Sequence, residues 1–165
     1  LYAGIMIDTN NFLTKTGVRT FEAAAFLRRC GADVTRVRKM FREHVEDYRA
    51  KGEAIRNAEL FRDHFAISVC PSEGLDSPTV VGAQAANELL NIIGVKASFV
   101  LTDYRNTIYI SARSIDEINV QIVMERLGGG GHLNIAGAQL EHYSIAEARD
   151  VLKQTLQKML DEGDI

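Results

Sequence analysis

Several features are scarce in this sequence, and each scarcity excludes a class of protein. Only two of the 165 residues are proline and 46% are hydrophobic, which favours a folded protein over a disordered one. No apolar run approaches the roughly 20 residues that span a bilayer. The two cysteines, Cys30 and Cys70, provide neither a metal-ligand spacing nor a disulfide framework. The net charge of −3 argues against a surface that coats nucleic acid in general.

Glycine, by contrast, is concentrated in one run, Gly128–Gly131, which His132 follows. Four consecutive glycines are costly, because each loses more backbone freedom on folding than any other residue. A loop without Cβ atoms can bring several backbone N–H groups close to one anion, and His132 adds a hydrogen-bond donor. The pattern therefore predicts a cradle for a phosphate or another oxyanion. A flexible turn between a helix and a strand is the alternative.

The chain begins in an apolar run, Leu1–Ile7, which predicts a buried helix end or a strand. Because a natural amino terminus seldom starts inside a buried element, we expect the chain to be a piece of a longer protein. Asp8 follows directly, and a carboxylate at the end of a rigid element is a common position for a catalytic or metal-binding group. From the residue type alone, an Asx turn or a helix N-cap is the simpler interpretation of Asp8.

The next stretch has helical signals. A capped helix is predicted from Thr20 to about Cys30, and Asp33 opens a second helix with a basic outer face. That basic face could contact phosphates, but a solvated charged face is the simpler interpretation. Because the helical signal continues to about Arg62, we expect a helical arm over 33–64 that joins two domains.

The second domain is predicted over 65–165 as a small α/β domain with a mixed sheet. Strand-like and helical segments alternate in the order β-α-β-β-α, then the glycine run, then β-α. The strands are predicted at 66–70, 97–102, 107–113 and 138–141, and the helices at 78–93, 116–127 and 144–159.

The third predicted strand ends in a short run with polar side chains, Ser111-Ala112-Arg113-Ser114. The planar guanidinium of Arg113 can hold a phosphate through two hydrogen bonds. A plain surface ion pair is the alternative for Arg113 taken alone. Because the glycine run follows one helix later, the two features together favour an anion site that also includes Ser111.

These motifs match a known family. The run Gly128–His132, with Asn134, Ala136 and Gly137 behind it, resembles the glycine-rich motif of the DHH-associated substrate-binding domain. Ile5–Phe12 is similar to the last metal-binding motif of the DHH catalytic domain that precedes it. Three further runs look like the GdpP-type cyclic-di-AMP phosphodiesterases, namely Thr16–Ala24, Ser111–Ser114 and Ile118–Gln121. The resemblance covers essentially the whole chain.

The resemblance implies a chemistry. In that family two manganese ions activate water to attack a phosphodiester, and the associated domain holds the dinucleotide, so that cyclic-di-AMP yields 5′-pApA. Residues 1–32 would then be the end of the catalytic domain, and Asp8 would be a manganese ligand. Gly129, Gly130, Gly131 and His132 would hold the phosphate or base end of the substrate, with Ser111 and Arg113 as their neighbours.

One departure from the family is large. Its other metal ligands lie upstream, in an Asp-His-His motif and other Asp- and His-containing motifs that do not occur in this sequence. Asp8 alone cannot hold two metals, so we expect this chain to be inactive without an upstream DHH domain. The resemblance also implies a cytoplasmic domain of a membrane-anchored bacterial protein, without membrane contact of its own, and a homodimer is a further expectation.

Two other functions stay open at this point. One is a short-oligonucleotide (nanoRNA) phosphodiesterase or a single-strand nucleic-acid-binding module, although the acidic net charge counts against long nucleic acids. The other is an interaction domain in which the glycines form a hinge. In that case, a bulky replacement of Gly130 would leave every ligand affinity unchanged.

Overall fold

The computed structural model describes residues 1–165, which form two compact units, 1–43 and 44–165. The first unit contains three helices, α1 (Tyr2–Asp8), α2 (Val18–Arg29) and α3 (Val34–Met40). Gly31 has a φ of +95° just beyond α2, which is the left-handed conformation expected after a helix end. The Asp33 carboxylate accepts the Arg36 N–H at 3.1 Å and so caps α3, as the sequence predicts.

The apolar start of the chain is a helix and not a strand, and its predicted burial is wrong. None of the residues of α1 is buried. Within the first unit the aromatic side chains of α2 are also open, since Phe21 is 53% exposed and Phe26 is 58% exposed. The reason is that the unit is small, and of its residues only Thr9 and Ala24 are buried.

The second unit contains a six-stranded mixed sheet and four helices. The strand order is β1-β2-β3-β4-β6-β5, and only β2 and β3 run parallel. In chain order its elements are α4 (Val45–Arg56), β1 (Glu59–Phe61), β2 (Phe65–Cys70), α5 (Pro78–Leu89), β3 (Ala97–Tyr104), β4 (Thr107–Ser114), α6 (Val120–Arg126), β5 (Gly130–His132), β6 (Ile135–Glu141) and α7 (Ile145–Glu162). The mixed α/β fold predicted from the sequence is confirmed.

Side chains alternate between the two faces of this sheet, and the two faces are covered differently. One face packs against α6 and α7 and contains the larger core, including Phe99, Ile110 and Leu152. The other face packs against α4 and α5 over β2 and β3, where Ala54, Ala86 and Val100 are buried. Because that second core contains no residue of β4, β5 or β6, this part of the sheet keeps an open face.

Two buried serines fix the helices of the smaller core. The Ser68 hydroxyl donates to the Ala54 carbonyl at 2.5 Å, and the Ser98 hydroxyl donates to the Ala86 carbonyl at 2.6 Å. Since Ser68 lies on β2 and Ser98 on β3, these bonds attach α4 and α5 to the sheet while satisfying buried polar groups.

Several predicted element limits are wrong. The helix expected to reach Arg62 ends at Arg56, and residues 59–61 form the edge strand β1, which pairs antiparallel with β2. The second compact unit begins at His44. The helix expected from Asp116 starts at Val120, because Asp116 has a φ of +56°, outside the right-handed helical region.

The closing helix α7 is formed as predicted. The Ser144 hydroxyl accepts the Glu147 N–H, and the Glu147 carboxylate accepts the Ser144 N–H at 2.8 Å, which completes a capping box. At its other end Gly163 has a φ of +75°. None of the seven helices combines the length and the apolar character that crossing a membrane requires.

Candidate ligand-binding site

The open face of the sheet is built by strand alternation in β4. Ile108, Ile110 and Ala112 point into the larger core. The intervening residues Tyr109, Ser111 and Arg113 are half-buried and lie on the opposite face, because successive residues of a strand alternate between faces. The predicted Ser111 and Arg113 therefore share one face, which we call the open face and define by the outward residues of β4, β6 and β5.

The strand register places the predicted histidine on the same face. Arg113 pairs with Ile135 on β6, and Ile135 pairs with His132 on β5. Directly paired residues of antiparallel strands point to the same side. Arg113 and His132 thus lie in one row, two strands apart, with backbones roughly 10 Å from each other given the usual spacing between strands.

A second row lies beside the first. Ser111 pairs with Gly137, and Gly137 pairs with Gly130. The middle of the open face therefore carries two glycines next to a serine hydroxyl. Because Gly130 and Gly137 have no side chains, the open face is recessed along this second row, next to the Arg113 row.

This recess is a cavity of about 460 Å³. It is bounded by the first turn of α5, by β4 and β6, and by the start of the glycine run. The residues that line it are Thr79, Tyr109, Ile110, Ser111, Gly128, Gly129, Gly130, Gly137, Ala138 and Gln139. Its dimensions fall in the range of small-molecule binding sites.

The glycine run is not the loop that the sequence predicts, because its residues have separate structural roles. Gly128, with a φ of +76°, follows α6; its N–H donates to the Glu125 carbonyl and the Gly129 N–H donates to the Met124 carbonyl. These two bonds form a Schellman motif. Since both N–H groups are used by the helix end, the predicted backbone cradle of free amides is wrong at these two positions.

The other two glycines belong to β5 and differ from each other. A Cβ on Gly131 would lie 2.5 Å from the Ala136 Cα, whereas a Cβ on Gly130 would have nothing within 4 Å. A Cβ on Gly129 would also lie too close to β6, at 2.7 Å from the Ala138 Cα. Gly129 and Gly131 are therefore needed for the close approach of the backbone to β6, while Gly130 faces the cavity.

Arg113 makes few hydrogen bonds on the open face. One guanidinium nitrogen, Nη1, donates to the Ala112 carbonyl at 2.8 Å, and the buried Nε makes no hydrogen bond. Burial lowers the pKa of the Arg113 guanidinium, although an arginine remains charged at neutral pH. A half-buried cation without a carboxylate partner would be stabilised by a bound anion. The surface ion pair considered as the alternative is not formed.

Asp8 belongs to the other compact unit of the chain. It is exposed at the last position of α1, in the first compact unit, and so is not the N-cap that was the simpler prediction. No group of three or more His, Cys, Asp or Glu side chains in the chain could hold a metal ion. The residues present therefore do not fit a manganese centre, and Asp8 as one ligand of such a centre stays a prediction.

Sequence reasoning did not single out Tyr109, Gln139 and Thr79 as lining residues. The alternation of β4 contains the signal for Tyr109, because it has the same parity as Ser111 and Arg113. Gln139 could not be found in the same way, because its place depends on the pairing of β6 with β4. Thr79 lines the cavity only because α5 packs over the sheet.

Comparisons with known proteins agree with the architecture. A family model described as the DHHA1 domain matches residues 64–158, which include every strand from β2 to β6. In fold, the chain is similar to an exopolyphosphatase-related protein from Bacteroides fragilis, with a TM-score of 0.83 and 23% sequence identity, covering 94% of this chain and 48% of that one.

Two curated relatives are similar over nearly the whole chain. The cyclic-di-AMP phosphodiesterase PdeA of Listeria monocytogenes is 43% identical over 153 residues, which is 92% of this chain and 23% of the relative. The cyclic-di-AMP phosphodiesterase GdpP of Bacillus subtilis is 42% identical over 165 residues, which is 99% of this chain and 25% of the relative. The chain thus spans about a quarter of the length of these relatives.

Proposed function

Because the chain belongs to the DHHA1 domain family, we propose that it is the substrate-binding part of a phosphodiesterase that hydrolyses cyclic-di-AMP to 5′-pApA. PdeA and GdpP, which match nearly the whole chain, are named as cyclic-di-AMP phosphodiesterases. The observation that carries the proposal in this chain is the row formed by Arg113 and His132 beside an open cavity.

In this proposal the phosphates of the dinucleotide bind at the Arg113 row. The guanidinium supplies positive charge and N–H donors, and His132 supplies a further donor from the other side of Ile135. Ser111 and the glycine-lined recess lie directly alongside, where a ligand group can approach the backbone closely. The side chains of Arg113 and His132 take over the role that the predicted backbone cradle was expected to have.

Calorimetric titration tests the binding proposal. Cyclic-di-AMP and 5′-pApA are each titrated into the chain, with and without manganese. We expect binding without metal, and we expect Arg113→Ala to weaken it by about 10- to 100-fold, since hydrogen bonds to charged groups contribute about 1.5–3 kcal/mol. His132→Ala should weaken binding as well. His44→Ala is the matched control, because His44 is exposed and its side chain caps no helix.

The results separate the alternatives. Equal affinities in the wild type, in Arg113→Ala and in His132→Ala would show that these two side chains do not bind the phosphates of the dinucleotide. Tight binding of single-stranded oligonucleotides with a steep salt dependence would favour a nucleic-acid-binding module, because releasing many counterions requires many phosphate contacts. A dinucleotide should show a shallow salt dependence.

We further propose that catalysis depends on manganese and on an upstream DHH domain, and that this chain alone is inactive. Asp8 would contribute one ligand to that metal site, and the remaining ligands would come from the missing domain. The test is to incubate the chain with cyclic-di-AMP and manganese and to follow 5′-pApA by chromatography. We expect no product; sustained turnover that depends on the amount of chain would contradict the proposal.

A further inference from the structure

Two side chains of the open face are opposite each other at a distance from the Arg113 row. Tyr109 on β4 and Gln139 on β6 are direct cross-strand partners, and both line the cavity. Tyr109 is four residues from Arg113 along β4, which corresponds to roughly 13 Å of extended strand. The part of the cavity at Tyr109 therefore differs in chemistry from the cationic row beside it, since Arg113 and His132 do not line the cavity itself.

The Tyr109 ring is supported from outside the cavity. The rings of Tyr104 and Tyr109 are tilted against each other with centroids 6.5 Å apart. The guanidinium of Arg105 in turn lies over the Tyr104 ring at 5.0 Å. The Tyr104 ring thus restricts how far the Tyr109 ring can turn, so a ligand that packs against Tyr109 would encounter an already oriented ring.

Tyr109 and Gln139 together can make the two kinds of contact that bind a nucleobase, namely stacking on its face and hydrogen bonds to its edge. An aromatic ring gives a flat apolar surface on which any base can stack. The Gln139 side chain is exposed and carries one acceptor oxygen and an NH₂ donor, so it can make two hydrogen bonds to an edge with a neighbouring donor and acceptor. Adenine presents such an edge, and glutamine is a typical partner for it.

We propose that Tyr109 and Gln139 form a subsite for an adenine base, in which Tyr109 packs against the ring and Gln139 binds its edge. This inference rests on the proposed function, since it assumes a nucleotide whose phosphate lies at the Arg113 row. It adds two specificity-determining residues that act on the base and not on the phosphate.

The test is calorimetric titration of the chain with 5′-pApA and with 5′-pUpU, which differ only in their bases. Tyr109→Ala should weaken 5′-pApA by about 5- to 100-fold, as stacking on an aromatic side chain generally contributes. Tyr109→Phe keeps the ring and should recover most of that loss. Tyr143→Ala is the matched control, because Tyr143 is a 41% exposed tyrosine that does not line the cavity.

Gln139→Glu tests the edge contact separately, because it keeps the shape of the side chain but replaces its NH₂ donor with an oxygen. We expect it to reduce the preference for 5′-pApA over 5′-pUpU, while Arg113→Ala should weaken both ligands by similar factors. Thermal unfolding of each variant verifies that the fold is intact.

The possible failures are distinguishable. If the wild type binds 5′-pApA and Arg113→Ala weakens it, while Tyr109→Ala and Gln139→Glu leave both ligands unchanged, the base subsite is wrong and the proposed function stands. If the wild type binds neither dinucleotide, the proposed function fails for this chain and the subsite fails with it. An equal loss for both dinucleotides in Gln139→Glu would overturn the role of Gln139 in selecting adenine.

Discussion

Asn134 and Asp116 bind each other through two hydrogen bonds that run in opposite directions. The Asn134 amide donates to the Asp116 carboxylate at 2.6 Å, and the Asp116 N–H donates to the Asn134 side-chain oxygen at 3.3 Å. The pair links the turn between β5 and β6 to the connection between β4 and α6. The Ser114 N–H also donates to the Asn134 carbonyl at 3.0 Å. The hairpin that carries His132 is therefore attached next to the end of the strand that carries Arg113.

An exchange of these two residues tests whether the pair positions the hairpin. Asn134→Asp removes the amide donor and brings two carboxylates together, so we expect a loss of about 1–2 kcal/mol in the free energy of unfolding and weaker dinucleotide binding. The double variant Asp116→Asn with Asn134→Asp restores one amide and one carboxylate and should recover much of both losses. Urea unfolding and calorimetry measure the two effects. Losses in the double variant that equal the sum of those in Asn134→Asp alone and in Asp116→Asn alone would show that the pair is not coupled.

The glycine run provides a second prediction, since Gly129 and Gly130 should respond in opposite ways. Gly129→Ala places a methyl group against the Ala138 backbone and should cost about 2 kcal/mol of stability or more. Gly130→Val meets no atom within 4 Å of its Cβ, so we expect unchanged stability to within about 0.5 kcal/mol.

In the cavity, however, Gly130→Val should weaken 5′-pApA binding by roughly tenfold or more, corresponding to about 1.4 kcal/mol. Thermal unfolding and calorimetry separate the two quantities. A glycine hinge without a ligand site predicts unaltered affinities in Gly130→Val, so that result would support the interaction-domain alternative.

The capping box of α7 predicts a pH dependence of stability. Hydrogen bonds from the Ser144 N–H and hydroxyl hold the pKa of Glu147 below its ordinary value of 4.5. A carboxyl group with a lowered pKa in the folded state stabilises the protein above its unfolded pKa, and this contribution disappears as the pH falls through the folded pKa. Glu147→Gln keeps the cap but does not titrate.

The stability difference between the wild type and Glu147→Gln should therefore be constant from pH 7 to about 5 and should shrink below pH 4.5. Urea unfolding at several pH values measures it. A difference that stays constant down to pH 3 would mean that Glu147 does not titrate together with folding.

The two cysteines should differ in reactivity. Burial, with a smaller contribution from the Glu53 charge, raises the pKa of the Cys70 thiol to about 11, whereas Cys30 is exposed. Because the thiolate is the nucleophile, iodoacetamide at pH 8 should modify Cys30 and leave Cys70 unmodified in the folded chain. Mass spectrometry of the peptides measures this, with guanidinium-unfolded chain as the control in which both react. Rapid labelling of Cys70 under native conditions would contradict its burial.

An element of this fold could be predicted when it depends on a pattern within one short segment, and not when it depends on pairing with a distant segment. The alternation in β4 and the capping box of Ser144 and Glu147 are local patterns, and the structure contains both. The strand β5 was not predicted, because glycine is depleted in strands and Gly130–His132 is held there by pairing with β6. The edge strand β1 was missed for a similar reason, since its three residues carry little periodicity.

The candidate site also combines features that the sequence predicts with features that depend on long-range pairing. The sequence pointed to Arg113, Ser111 and His132 as members of one site, and the structure brings them to one face. What the sequence could not provide is the register that puts Arg113 and His132 in the same row, because this pairing joins residues that are distant along the chain. The role of the glycines was also misjudged at Gly128 and Gly129, whose N–H groups end a helix instead of facing an anion.

The most direct test of the account is a nuclear magnetic resonance titration of the isotope-labelled chain with 5′-pApA. The account predicts that backbone amide shifts change along the open face, at residues 109–113, 128–132 and 135–139, while those of α7 stay in place. Changes that leave Arg113 and His132 unaffected and concentrate on another surface would contradict the claim that the face formed by β4, β6 and β5 binds the dinucleotide.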